Sequence, residues 1–142
     1  MIAILLASVV ASGASIPMNV QQAAPHLARV TRIKDFPPGA VPWPIADPGT
    51  RFNNSDIHDR ELPDRGLILA GCSADLCVLH FQIGGIISPY CLLAMQRTKQ
   101  KWEPIWYART PRPLASFEEL QAVVEHASPI ELTEESWCDE VP

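Results

Sequence analysis

The chain has 142 residues, of which 47% are hydrophobic and 19% are charged, and its formal net charge is −5. This length favours a single domain, which can bury enough surface to fold without a metal or a partner. The hydrophobic content excludes a chain that is disordered throughout, and the negative net charge argues against a general nucleic-acid-binding protein. No apolar run reaches the roughly 20 residues that a membrane-spanning helix needs.

Residues 1–14 have the pattern of a secretory signal peptide. An apolar block from Ile2 to Val10 is followed by small residues, and Ser12 and Ala14 stand where signal cleavage before Ser15 requires small side chains. No Lys or Arg precedes the block, which is too short to span a bilayer as a helix. We therefore expect a secreted or periplasmic protein that has no transmembrane span after signal removal.

Residues 15–65 are predicted to form a proline-rich extended arm and a polar loop, since this segment holds eight of the 14 prolines. Proline fixes φ and lacks an N–H group, so the segment 36–49 cannot form a helix or a central strand. The prediction is that the arm packs its apolar side chains across the domain's own core: Phe36, Val41, Trp43 and Ile45. A ligand for an aromatic groove on a partner is the alternative.

Residues 66–142 are predicted to form an α+β core, in which a small antiparallel sheet of about four strands packs with one C-terminal helix. The apolar runs that predict strands are residues 67–72, 76–83, 90–97 and 102–108. Their short connections indicate an antiparallel meander, and Pro104 marks the last strand as an edge or bulged strand. Because the strands are almost entirely apolar, we expect both faces of the sheet to be covered, one of them by the helix.

The predicted helix begins at a capping box, in which Ser116 caps the first turn and Glu119 reaches back. Apolar residues follow at helical spacing, and Ser128 and Pro129 end the pattern. The tail beyond it is acidic, and residues 116–142 contain eight acidic residues and no Lys or Arg.

The four cysteines fit an oxidising compartment, in which disulfides form and persist. Cys72 and Cys77 enclose a four-residue connection between two predicted strands, so they would face each other across a hairpin. This pairing leaves Cys91 with Cys138, which would tie the C-terminal tail to the core. Two alternatives stay open: a disulfide between Cys77 and Cys91, and a zinc site at Cys72 and Cys77.

The sequence contains no strong catalytic pattern and no cofactor motif. His80, inside the second predicted strand, is interpreted as a structural histidine with a hydrogen-bonded ring. The alternative is that His80 activates a cysteine thiolate.

The polar loop at residues 53–65 is interpreted as a solvated loop and not as a metal site, although it offers oxygen and nitrogen ligands: Asp56, His58, Asp59 and Glu61. Asn53 begins a formal N-glycosylation sequon in this loop.

Two turns are the predicted partner-binding surfaces. The first is the cysteine-bounded loop of Ser73, Ala74, Asp75 and Leu76, and the second is the polar turn with Arg97, Lys99, Lys101 and Trp102. Basic residues interleaved with aromatic residues bind anionic polymers, and Arg109 and Arg112 are expected to join the second surface. An exported protein rarely meets nucleic acid, so the expected partner is an envelope protein or a glycan. An ordinary solvated hairpin over core tryptophans is the alternative.

The segment from Cys72 to Cys77, together with the signal peptide and the meander, resembles the periplasmic lysozyme inhibitors over residues 66–108. Those proteins use a cysteine-bounded loop of this length to enter a lysozyme cleft, so the resemblance implies the same use here. The sequence departs from that family within the loop, where Asp75 and Leu76 stand in place of a His-Asp pair.

We therefore expect an exported, non-enzymatic envelope protein that binds a macromolecular partner. The alternatives are a small hydrolase or thiol enzyme that uses His80 with a free cysteine, a lysozyme-inhibitor-like protein, and a structural subunit recruited through the proline-rich arm.

Overall fold

The computed structural model describes residues 15–55, 57–126, 130–133 and 138; the predicted signal peptide and most of the acidic tail lie outside these residues. The fold is α+β, with a five-stranded antiparallel meander in the order β1-β2-β3-β4-β5. The strands are β1 Ala28–Arg29, β2 Arg65–Cys72, β3 Leu76–Ile83, β4 Tyr90–Thr98 and β5 Lys101–Thr110. The α-helices are α1 Met18–Ala23 and α2 Phe117–His126, and two short 3₁₀ helices span Ala24–His26 and Ile33–Asp35. None of the helices in the described ranges is long and apolar enough to cross a membrane.

Helices α1 and α2 cover one face of the sheet. Helix α2 buries Leu120, Val123 and Val124 against alternate strand residues such as Val78 and Leu92. Its N-terminus is capped as the sequence predicts, since the Glu119 N–H donates to Ser116 Oγ at 3.1 Å and Glu119 Oε1 accepts from the Ala115 N–H at 3.0 Å.

Helix α1 adds a layer that the sequence analysis assigned to an extended arm. Pro17 precedes its first turn, and Ile16, Val20 and Ala24 recur every fourth residue, so they lie on one side and are buried. Because polar residues lie between them and prolines flank the segment, the sequence shows no clear helical periodicity here. The Gln121 side chain of α2 donates to the Ala24 carbonyl at 3.1 Å and joins the two helices.

The proline-rich arm covers the opposite face of the sheet, as expected. Phe36 and Trp43 are buried in the cluster on that face, and Val41 and Ile45 pack against the same cluster. The ring centroids of Trp43 and Phe81, the latter in β3, lie 4.7 Å apart. The Ile33 N–H donates to Asp47 Oδ1 at 2.7 Å, which joins the residues just before the proline-rich segment 36–49 to a residue near its end. The arm is therefore part of the core and not a free proline-rich ligand.

A β-bulge at Ile105 in the edge strand β5 determines which way its aromatic residues point. Ala94 pairs with Trp106 while the next residue, Met95, pairs with Pro104, so one residue of β5 is left without a partner. The bulge reverses the alternation, and Trp102 therefore packs on the arm side while Trp106 packs on the helix side. The expectation of an edge or bulged strand at Pro104 is confirmed.

All four cysteines form the two disulfides that the sequence favoured, Cys72–Cys77 and Cys91–Cys138. The first links directly paired residues of β2 and β3, and the second holds Cys138 against the arm-side core. Three alternatives are therefore wrong: a Cys77–Cys91 bond, a zinc site at Cys72 and Cys77, and a reactive thiolate.

His80 is fully buried in β3 and both of its ring nitrogens are hydrogen-bonded. Nδ1 lies 2.9 Å from the Cys91 carbonyl, to which it donates, and Nε2 accepts from the Leu114 N–H at 3.0 Å. These partners require a neutral ring. Burial lowers the pKa of His80 to about 4 from an ordinary 6.5, although the Cys91 hydrogen bond and the charge of Glu119 favour the protonated form.

The first prediction concerns the arm. Replacing Trp43→Ala should lower the free energy of unfolding by about 3–5 kcal/mol, because it leaves a cavity beside Phe81 that the proline-restricted arm cannot close. Chemical denaturation measures this change, with the exposed Pro38→Ala as the control in the same arm. A loss for Trp43→Ala no larger than that of the control would mean that the arm does not belong to the core.

The second prediction concerns pH. Because the pKa of His80 is lower in the folded state, the unfolded state binds a proton first as the pH falls. The neutral, buried ring therefore contributes its full share to the free energy of unfolding above pH 6.5, and this share is lost between pH 6.5 and about 4. The loss should amount to about 3 kcal/mol over this window. Urea denaturation at successive pH values measures it, and His80→Gln should remove the slope between pH 6.5 and 4.5. An equal slope in that variant would assign the effect to other groups.

Candidate partner-binding surface

The meander brings the two predicted binding turns to the same end of the sheet. In an antiparallel meander successive turns alternate between the two ends, so the β2–β3 and β4–β5 turns share one end and the β3–β4 loop occupies the other. We call residues 73–75 and 97–101 the hairpin end. The sequence indicated these two segments separately, for different reasons, and the fold makes them neighbours.

A backbone hydrogen bond joins the two turns. The Arg97 N–H donates to the Asp75 carbonyl at 2.8 Å, and Arg97 Nε lies 3.5 Å from Asp75 Oδ1. Both side chains are at least half exposed, and such ion pairs contribute at most about 1 kcal/mol. The backbone bond and the adjacent disulfide are therefore what hold the hairpin end together.

The cysteine-bounded loop presents only part of its predicted surface. The Ser73 N–H donates to the Leu76 carbonyl at 2.7 Å and closes the turn inside the disulfide. Ala74 and Asp75 are exposed, whereas Leu76 is buried in the helix-side core. Leu76 therefore supports the loop from below and does not form part of its outer surface.

The β4–β5 turn has a strained backbone at its tip. Lys99 and Gln100 have φ values of 51° and 70°, the left-handed conformation of a type I′ hairpin turn, which Asn and Gly adopt more readily. Lys101 Nζ lies 3.7 Å from Glu103 Oε1, whereas no salt bridge joins Lys99 to any of the described residues. Within the described part of the chain, the ammonium group of Lys99 at the apex of the hairpin therefore has no acidic partner.

The aromatic and distal basic residues do not join this surface. Trp102 is only 9% exposed and packs beneath the turn, while Trp106 lies in the core on the opposite face. Arg109 lies near the other end of β5, and Arg112 beyond it binds both carboxylate oxygens of Glu119, at 2.6 and 3.1 Å. The expected five-residue basic surface is therefore divided by the length of β5, and the tryptophans are core residues.

The hairpin end has a mixed charge with a basic apex. Its three basic side chains, Arg97, Lys99 and Lys101, stand near two acidic ones, Asp75 and Glu103. All five are exposed, so their charges are well solvated. Such a surface can bind anionic groups through its solvent-exposed donors.

A cleft that no sequence pattern predicts lies between the arm and the polar loop. This open cleft of about 620 Å³ is bordered by Trp43 and Leu62 and by a His58–Asp64 pair, in which Nε2 lies 3.0 Å from Oδ1. Both members of the pair are about 60% exposed. Among the residues that the structure describes, no serine or cysteine side chain is hydrogen-bonded to His58.

Asn53 organises the polar loop and the acidic member of this pair. Its side-chain nitrogen lies within 2.9 Å of three acceptors, which share its two N–H groups: the carbonyls of Asp59 and Leu62 and Asp64 Oδ1. Its oxygen accepts from the Asp59 N–H. The bond from Asn53 lowers the pKa of Asp64 below its ordinary value, with a smaller contribution from His58. Because the Asn53 amide is buried and fully bonded, the sequon is not accessible in the folded chain.

Comparison of the chain with protein-family models, with curated proteins and with solved structures found no match. The interpretation of the site therefore depends on the residues of this chain alone. The resemblance to periplasmic lysozyme inhibitors stays a prediction, and the one carboxylate of the loop, Asp75, is paired with Arg97.

The third prediction tests the strain in the turn. Replacing Lys99→Asn together with Gln100→Gly should raise the free energy of unfolding by about 1–2 kcal/mol, because both residues adopt the left-handed conformation at lower cost. Chemical denaturation measures the change. Lys99→Val with Gln100→Val is the matched control and should destabilise the protein. A loss of stability with the Asn-Gly pair would contradict the proposed strain.

Proposed function

We propose that this chain is an exported, non-enzymatic protein that binds an envelope protein or glycan through the hairpin end. The observation that carries the proposal is the contact between the two turns, the Arg97 N–H to Asp75 carbonyl bond of 2.8 Å. It joins two exposed segments into one surface on a rigid sheet, the arrangement in which loops commonly carry binding function.

The chemistry of the hairpin end favours a partner with anionic groups. Lys99 offers an ammonium group without a salt bridge to the described residues, and Arg97 uses Nε toward Asp75 while its two terminal nitrogens make no hydrogen bond to them. Lysine acts as a point charge, and an arginine fork can bind a carboxylate or phosphate through two donors. The expected partner therefore presents carboxylate, sulfate or phosphate groups.

The strain at Lys99 and Gln100 supports a functional role for this turn. Strained backbone conformations cost free energy and accumulate at functional sites, where they hold side chains in a required position. Here the left-handed backbone at Lys99 fixes the position from which its side chain extends.

The states of the histidine and the cysteines support a binding role over an enzymatic one. His80 uses both ring nitrogens inside the core, and all four cysteines are in disulfides, so neither is available as a base or a nucleophile. The alternative of a thiol enzyme depended on a free cysteine, and all four cysteines are in disulfides.

The fourth prediction tests the hairpin end by charge reversal. Lys99→Glu with Lys101→Glu should weaken binding to the native partner by about tenfold or more, because two attractive contacts become repulsive. The matched control is Lys34→Glu with Arg51→Glu, two exposed basic residues outside the hairpin end, and it should bind almost like the unaltered protein.

The partner is first identified by photo-crosslinking in the host envelope. A photoreactive amino acid replaces Lys99 in one variant and Arg51 in the other. A specific adduct from position 99 and none from position 51 would support the proposal. Equal adducts from both positions, or equal weakening by both charge reversals, would reject the hairpin end as the binding surface.

A further inference from the structure

The most exposed aliphatic residues in the described part of the chain lie mainly at the end of the sheet opposite the hairpin end. Ile86 is 90% exposed and Ile87 is 58% exposed in the loop between β3 and β4, and Ile57 on the neighbouring polar loop is 80% exposed. Single exposed aliphatic residues are ordinary, but an exposed group of them marks an interaction surface. We call residues 84–89 the isoleucine loop.

The backbone at the base of the isoleucine loop is tied by hydrogen bonds. The Ile83 N–H donates to the Pro89 carbonyl at 3.1 Å, and Ser88 Oγ donates to the Gly85 carbonyl at 2.9 Å. The two isoleucines between these bonds are displayed outward by a closed loop. The hydrogen-bonded backbone of the folded chain therefore holds both isoleucine side chains in exposed positions.

Gly84 attaches the isoleucine loop to the polar loop. Its N–H donates to the Asp64 carbonyl at 2.8 Å, and a Cβ at this position would lie only 1.3 Å from the Asn53 carbonyl oxygen. This close approach requires glycine and brings the two isoleucine-bearing loops together. Three exposed isoleucines thus lie on two segments that are joined at Gly84.

We propose that the isoleucine loop inserts into the surface of a lipid bilayer. Ile86 and Ile87 are exposed and the six residues of the loop carry no charged side chain, so its tip can enter the boundary between headgroups and acyl chains without the desolvation of a charge. Tyr90 follows the loop at the start of β4 and is half-buried, the kind of amphipathic side chain that is enriched at this boundary.

The size and composition of the patch argue against a second copy of the chain or another protein as the occupant. A stable protein–protein interface buries about 800 Å² on each partner, far more than three isoleucine side chains provide. Its energetic centre is typically aromatic or arginine-rich and fits a concave pocket. A small aliphatic protrusion matches weak, reversible insertion into lipid instead.

Membrane insertion through the isoleucine loop does not depend on the proposed partner binding, but it would determine which way the hairpin end faces. Strand β4 has nine residues and runs from the isoleucine loop to the hairpin end, a distance of about 30 Å at the usual rise per residue. A chain bound through the isoleucines would therefore direct the hairpin end away from the bilayer.

The fifth prediction is tested by co-sedimentation of the full chain with vesicles of phosphatidylcholine alone and with vesicles that also contain phosphatidylglycerol. The unaltered protein should bind both kinds, with little dependence on salt, because insertion is apolar. Ile86→Ser with Ile87→Ser should weaken vesicle binding by about tenfold while the denaturation midpoint stays unchanged, since both side chains are already exposed.

Two controls keep the result interpretable. Met18→Ser removes an aliphatic side chain that is 70% exposed elsewhere and should leave vesicle binding unchanged. Ile86→Trp, which enlarges the inserting surface, should strengthen it.

Four outcomes would overturn the proposal. They are absence of vesicle binding by the unaltered protein, equal binding by the Ile86→Ser/Ile87→Ser variant, a self-association in sedimentation that this variant abolishes, and binding restricted to phosphatidylglycerol vesicles that Lys99→Glu with Lys101→Glu removes. The last outcome would assign lipid binding to the hairpin end. Loss of envelope-partner binding with vesicle binding retained would instead affect only the proposed function.

Discussion

Strand β3 is buried on both faces, and the need to cover two apolar faces of one sheet accounts for most of the architecture. Val78 and Leu79 point to opposite sides and are both fully buried. A sheet of this kind is stable only between two other layers. Helix α2, with help from α1, provides one layer, and because the described chain has no other helix of comparable length, the second layer is built from the proline-rich arm.

Proline is suited to such a layer. Apart from Ala46, which pairs with the edge of β2, a segment that crosses the face of a sheet finds few strand carbonyls for its N–H groups, and a buried unpaired N–H is costly. Each proline removes one such donor and also reduces the entropy lost when the arm is ordered. Trp43 and Phe36 then supply the buried apolar surface, and the Cys91–Cys138 disulfide secures Cys138 within the same layer.

The elements with strong local signals could be predicted from the sequence. The apolar runs, the capping box at Ser116 and the spacing of Cys72 and Cys77 depend on neighbours in the chain. Helix α1 was missed because only a few of its residues are apolar, and the burial of Trp102 depends on a bulge that periodicity does not show. The contact between Asp75 and Arg97 depends on strand register, since a shift of one residue would turn every side chain to the other face. The pairing of His58 with Asp64 depends on the Asn53 hydrogen bonds, which leave no pattern in the sequence.

The covering of both faces also restricts where this domain can bind anything. One edge of the sheet is occupied by β1 and by the pairing of Ala46 with Gly66, and the other is interrupted by the bulge beside Pro104 and by the pairing of Arg109 with Thr133. Proteins commonly protect sheet edges in these ways against unwanted strand pairing. With the faces buried and the edges blocked, the turns at the two ends are where the sheet presents backbone and side chains to solvent. Both proposed surfaces, the hairpin end and the isoleucine loop, therefore lie at turns, which are the parts of the sheet that the two covering layers leave exposed.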